Sequence, residues 1–167
     1  MPYSIAQLNQ MSQDEFVAVL GAIFEDTPAI ASKAWMQKPF ATVADLHQAM
    51  VAIVQQMAPA EQLALIRAHP DLGSKAKMAD ASVQEQASVG LDRLTPAEYD
   101  RFHTANEAYK AKFGFPFIIA VKKHTKASIL DAFDQRLHNT PEAEATQALT
   151  EIAQIAQFRL EALVAPG

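Results

Sequence analysis

The 167-residue sequence contains no cysteine. That absence excludes a disulfide framework, a thiolate nucleophile, an iron–sulfur cluster and any cysteine-based zinc site. Glycine is scarce, with five in the whole chain, which favours helix over sheet on propensity. Long apolar runs are missing as well: no stretch approaches the roughly 20 residues that span a bilayer. Basic side chains are in deficit, 14 Lys and Arg against 19 Asp and Glu for a net charge of −5. The balance argues against broad electrostatic binding to nucleic acid or an anionic membrane and leaves room only for a local basic pocket. Catalytic signatures are also absent. No GxSxG, P-loop, GxGxxG or HExxH occurs, and His47, His103, His124 and His138 form no pair at metal-ligand spacing. No metal site is expected. Met1-Pro2-Tyr3-Ser4-Ile5 lacks the basic and apolar regions of a secretory signal, and Ala165-Pro166-Gly167 is not a Ser-Lys-Leu tail. The expectation is a soluble cytoplasmic protein.

What is present reads as one globular domain over residues 1–167. Half of the residues are apolar, and a chain of this length buries about 70% of its unfolded surface without a metal or disulfide staple. Helix starts recur. Ser12-Gln13-Asp14-Glu15 is a capping box, followed by Phe16, Val19, Leu20, Ile23 and Phe24 at helical spacing. Thr42 precedes a stripe of Val43, Leu46, Met50, Ile53, Val54 and Met57. Pro59 suits the first position of a short helix carrying Leu63 and Ile66. Thr95-Pro96-Ala97-Glu98 combines a cap, an N1 proline and an N3 glutamate; Gly114 stops the helix it starts. Thr125 and Thr140-Pro141 open two more helices. Six or more helices with short connections predict an all-α, multi-helix bundle. Phe115-Pro116-Phe117-Ile118-Ile119-Ala120-Val121 reads as a buried strand by composition but has no partner strand. It is expected as an extended segment or a tightly packed turn, whose spare backbone groups are available to a ligand.

Three local features carry possible chemistry. In Ala68-His69-Pro70-Asp71-Leu72-Gly73, the residue before proline is pushed out of the α region, so His69 projects from a fixed helix exit. The plainer reading is a histidine complementing the helix dipole. In Ser82-Val83-Gln84-Glu85-Gln86, serine followed three residues later by glutamate is a capping-box pattern, and a helix amino terminus also suits an anion. Arg159 lies seven, four and three residues after Ile152, Ile155 and Ala156, and four before Leu163. That places a guanidinium within an apolar stripe, either seeking a carboxylate or snorkelling along the helix end. Lys122-Lys123-His124 reads as solvated surface.

Taken together, AHPDLG, SxxEQ with Gly90-Leu91 close behind, LTPAEYDRFHTANEAYKAKFGFPFIIAV and FRLEAL resemble the 2-oxo-4-hydroxy-4-carboxy-5-ureidoimidazoline (OHCU) decarboxylase family. The resemblance runs from about residue 8 to residue 164. It implies an all-helical fold and the last enzyme of the route from urate to (S)-allantoin. It places the family's catalytic histidine on His69 and its catalytic glutamate on Glu85. Pro70, Ser82, Gln86, Phe117, Ile118, Ile119, Ala120, Val121 and Arg159 fall on substrate-binding positions, the 117–121 segment binding partly through backbone groups. It implies a homodimer acting on a small molecule. No cofactor is expected, because the substrate's carboxylate sits beside a C=N bond that accepts the electrons released with CO2. Two rival readings predict different things: a non-catalytic helical interaction module needs a large exposed apolar stripe, and a metal-dependent hydrolase needs His69, Asp71 and Glu85 to gather around an ion.

Overall fold

The local start signals act where they are written. In the computed structural model, which describes residues 2–74 and 80–166, Ser12 accepts from the Glu15 N–H at 3.2 Å while the Glu15 carboxylate accepts from the Ser12 N–H at 3.0 Å. This reciprocal pair opens α2 (Gln13–Leu20). Thr42 caps α4 (Val43–Gln56), and Thr95 with Glu98 closes a second capping box at α7 (Pro96–Phe113), which ends on Gly114 at φ +78°. Thr125 opens α8 (Lys126–Arg136), and Thr140 accepts from the Ala143 N–H in the first turn of α9 (Pro141–Leu163). The others are α1 (Ile5–Gln10), α3 (Ala29–Trp35), α5 (Pro59–Arg67) and α6 (Asp80–Ser88). Among the described residues there is no strand; β pairing is confined to an isolated parallel bridge between Tyr3 and Val164. The all-α expectation holds.

Two details differ from the sequence reading. The helical stripe expected to run through Ile23 and Phe24 stops at Leu20, with Gly21 as its cap. Ile23 and Phe24 are buried all the same, so the apolar spacing reported burial beyond the last helical turn. Both α1 and α3 went unread. The first is six residues long behind a Ser4/Gln7 capping box, and the second follows Pro28 at its N-cap, with no side-chain cap bond.

The chain divides into two compact units. The first comprises residues 1–65 and 153–167. Here α3 packs on α2 and α4, over a core that includes Phe16, Leu20, Ile30, Leu46, Met50 and Leu160. The Tyr3 N–H donates to Leu163 O at 2.8 Å and the Ala165 N–H to Tyr3 O at 2.7 Å, tying the early chain to the end of α9. The second unit, residues 66–152, packs α7 on α8 and α6 against a single 3-10 turn at Val121–Lys123. Its core is aromatic. Phe117 stacks on Phe133 with ring centroids 3.8 Å apart, and Tyr109 meets Phe117 edge-on at 5.2 Å. As expected, residues 116–120 form neither helix nor strand and are buried.

Among the described residues, no single helix is long and apolar enough to cross a membrane. Among the described residues, the large apolar side chains left exposed are Met36, the cap after α3, and Val83, on α6. They make no stripe of the kind an interaction module requires.

Candidate active site

His69 sits two residues beyond the end of α5, and its N–H still reaches Ile66 O at 3.2 Å. The following proline prevents another helical turn. The imidazole is only 8% exposed, so it is an inward group at a helix exit, not a solvated complement to the helix dipole. The next residues are held one by one. Lys110 Nζ donates to Asp71 Oδ2 at 2.7 Å, Asn106 Nδ2 donates to Leu72 O at 2.9 Å, and the Gly73 N–H donates to Gln86 Oε1 at 2.9 Å. Gly73 takes φ +70°, a backbone conformation that glycine adopts without strain and other residues rarely do.

Ser82 is not a helix cap. Asp80 and Ala81 already belong to α6, and Ser82 is buried. Serine, glutamate and glutamine at positions i, i+3 and i+4 share one helix face, and that spacing happens to match a capping box. Ser82 and Gln86 are buried on this face and Glu85 is half-buried beside them. Gln86 joins α6 to the His69 loop through the Gly73 bond, with a second bond from Nε2 to Asp71 O at 3.3 Å. α6 also packs on Val121–Lys123. The His69 loop and α6, far apart in sequence, are thus joined by the Gln86 bonds within the second unit.

The segment from Phe117 to Val121 is fastened by two buried charges. Arg136 Nη1 donates to Ile118 O at 2.7 Å, and its guanidinium carbon lies 4.3 Å from the Phe117 ring centroid. The Ala120 N–H donates to Glu151 Oε1 at 3.0 Å. Arg67, in the last turn of α5, donates to Gly114 O at 3.1 Å from Nη2, bracing the entry to the segment. Among the described residues, the N–H groups of Ile118, Ile119 and Val121 donate to no protein acceptor. These are the spare backbone groups the sequence reading anticipated.

Arg159 belongs to the first unit. It is 6% exposed, which removes the snorkelling reading. Nη1 donates to Ala22 O at 3.1 Å, Ile23 O at 3.4 Å and Glu25 Oε2 at 3.3 Å. Its internal carboxylate partner, Glu25, was not foreseen. The ligand set His69, Asp71 and Glu85 does not gather around a metal position, and Asp71 is committed to Lys110.

Sequence reasoning missed the polar core of the second unit. Glu144, fully buried, accepts from Tyr109 Oη at 2.5 Å, Arg136 Nε at 2.8 Å and Asn139 Nδ2 at 2.9 Å. A signal was present. Asn106 falls on the Phe102, Tyr109, Phe113 stripe of α7, and Arg136 follows Ile129 and Phe133 at +7 and +3. Glu144 and Glu151 flank Ala148 at helical spacing. Each is an inward polar residue detectable by the argument applied to Arg159.

Burial, reinforced by the bond to Glu144, pushes the Tyr109 phenol above its usual value. The unfolded chain surrenders that proton near pH 10, whereas the folded protein retains it. Stability from this group is therefore complete below about pH 10 and is lost as the pH rises further. Tyr109→Phe is expected to flatten the alkaline fall of the unfolding midpoint between about pH 10 and 12. An unchanged slope would locate the alkaline transition elsewhere.

Among the described residues the fold is all-helical, and its second unit holds a buried histidine, a helix face bearing Ser82, Glu85 and Gln86, and a backbone segment with three unpartnered N–H groups. The family model described as OHCU decarboxylase matches residues 9–161. The chain is 44% identical over 163 residues to the 2-oxo-4-hydroxy-4-carboxy-5-ureidoimidazoline decarboxylase of Halalkalicoccus jeotgali, covering 98% of this chain and 93% of that protein. It is 43% identical over 162 residues to the uric acid degradation bifunctional protein of Bacillus subtilis, covering 97% of this chain and 33% of that one. A crystal structure of (S)-allantoin synthase superposes with a TM-score of 0.79 at 32% identity, over 96% of this chain and 54% of that chain. The chain belongs to the OHCU decarboxylase family.

Proposed function

We propose that residues 1–167 work as a single OHCU decarboxylase domain. The reaction converts 2-oxo-4-hydroxy-4-carboxy-5-ureidoimidazoline to (S)-allantoin and CO2, without a cofactor, at the last step of urate degradation. The relatives' names support the substrate. The observation that carries the reading is the pair of Gln86 bonds that ties the His69 loop to the helix bearing Ser82 and Glu85, a helix that also packs on Val121–Lys123 in the same unit.

The chemistry asks for binding and proton management. The bond from ring carbon 4 to the carboxylate breaks, its electron pair forms a double bond to carbon 5, and the C=N pair moves onto nitrogen with a proton. Carbon 5 then takes a proton as the 4-hydroxyl becomes a carbonyl, so one proton is consumed overall as CO2 leaves. His69 shuttles the hydroxyl proton as a positioned acid–base group. Glu85 holds His69 or the ureido N–H groups. Pro70 shapes the wall beside the imidazole. Ser82, the second N–H of the Gln86 amide and the backbone of Phe117, Ile118, Ile119, Ala120 and Val121 bind the ring and its substituents. Arg159 anchors an anionic or polar group of the substrate. Orientation of the carboxylate out of the ring plane and stabilisation of the developing enolate supply the acceleration.

The same reading puts the enzyme in the cytoplasm as a homodimer, acting on a free small molecule and not on nucleic acid or a membrane, in keeping with its charge of −5. Sedimentation of the purified protein measures the assembly. The activity test couples the purified chain to urate oxidase and hydroxyisourate hydrolase and follows the circular dichroism of the allantoin formed. Optically active allantoin, appearing faster than by spontaneous decay and undiminished in chelator, is the expected result. Racemic allantoin at the spontaneous rate overturns the proposal, and loss of activity in chelator revives the metal-dependent hydrolase.

A further inference from the structure

The backbone on either side of His69 is held at several points, and α7 shares the restraint of residues 71–73 with Gln86 of α6. Before it, the His69 N–H closes the last turn of α5 on Ile66 O. After it, Pro70 fixes its own φ and narrows the conformations open to His69. What then sets the direction of the imidazole is where residues 71–73 are tied down. Asn106 and Lys110 are four apart on α7, one turn along the same face. Asn106 takes the carbonyl of Leu72 and Lys110 the carboxylate of Asp71, at 2.9 and 2.7 Å.

Asn106 is an expensive choice for a merely structural position. It lies on the apolar stripe of α7, only 4% exposed, and its Oδ1 has no partner among the described residues. A leucine would fill such a place without burying an unmet acceptor. Residues that break a local packing rule tend to mark functional demands. The use visible here is the Nδ2 bond to Leu72 O, three residues from the imidazole. Lys110 adds a shorter link one residue nearer.

We propose that Asn106 and Lys110 are positioning residues that aim His69 at the substrate by clamping residues 71 and 72. The inference rests on the decarboxylase reading, because it assigns the clamp a role in the same reaction. A displacement of about 1 Å in a reacting group can cost on the order of a hundredfold in rate. Loosening the clamp should therefore lower kcat while leaving the remaining binding groups, and hence KM, nearly unchanged.

The test measures kcat and KM for Lys110→Met, Lys110→Arg and Asn106→Ala by the allantoin assay, with thermal unfolding of each. Lys110 is partly exposed, so Lys110→Met is expected to fold and provides a readout even if Asn106→Ala does not. Lys110→Met is expected to lose about ten- to a hundredfold in kcat with KM within about twofold. Lys110→Arg, which keeps the cation, is expected to recover most of that loss. A folded Lys110→Met with unchanged kcat overturns the clamp, as does a loss confined to KM or one that Lys110→Arg fails to rescue. None of these outcomes touches the decarboxylase reading, which stands or falls on whether the parent chain makes optically active allantoin.

Discussion

His69→Asn is expected to make (S)-allantoin at least a hundredfold more slowly than the parent chain at pH 7. Proton transfer by a positioned side chain is worth about 10²–10⁴-fold, and asparagine keeps a polar group of similar reach while removing the one that titrates. Stereochemistry gives a second readout. Because the substrate carries its own electron sink, slow spontaneous decay continues, and it delivers a proton to either face of carbon 5. The little allantoin formed by His69→Asn should accordingly lose optical purity. Far-ultraviolet circular dichroism separates this from unfolding, since the imidazole lies in a loop and its replacement leaves every helix intact. Activity within about threefold of the parent, with optical purity retained, would remove His69 from the chemistry. Glu85→Gln tests the neighbouring role in the same assay. Glutamine preserves the side chain's shape and removes its charge, so a large loss of kcat there assigns the carboxylate to the imidazole or the ureido group.

What was legible in the sequence follows the range of the interaction. Ser12 with Glu15 and Thr95 with Glu98 are contacts over three residues, so their capping boxes could be read directly and occur as written. The inward setting of Arg159 was legible because helical period reports which face is apolar. Its partner was not, because Glu25 lies 134 residues away and nothing local records the meeting. Ser82 shows a different limit. The spacing that makes a capping box also places residues on one helix face, and only tertiary packing decides between them. Ile23 and Phe24 illustrate the same ambiguity for apolar residues, since a loop pressed into the core keeps hydrophobic spacing after helical hydrogen bonds have ended. Asn106, Arg136, Glu144 and Glu151 were readable in principle, each lying on an apolar stripe. What hid them was the habit of treating a polar residue at such a position as exposed.

The largest stability loss is expected from Glu144→Gln. Glu144 is fully buried and pairs with Arg136 at 2.8 Å, with the Tyr109 hydroxyl and Asn139 amide completing its bonds. Removing one partner of such a pair leaves the other charge desolvated, and that costs about 3–5 kcal/mol. Against a typical domain stability of about 5–15 kcal/mol the loss is severe. It should lower Tm by on the order of 10 °C at this chain length. Arg136→Met is expected to be comparably harmful and also to release Ile118 O, the carbonyl it holds in the substrate-binding segment. Combining the two changes discriminates charge from packing. If the uncompensated charge is the cause, the double variant should be more stable than the sum of the single losses implies, because no isolated ion remains. It should still fall short of the parent by about 1–3 kcal/mol, the cost of a buried group left without its hydrogen bond. Denaturant midpoints for the four proteins measure this cycle. Strict additivity would mean the buried pair contributes through shape alone, and the fastening of residues 117–121 would then depend on Glu151 rather than on the charge of Arg136.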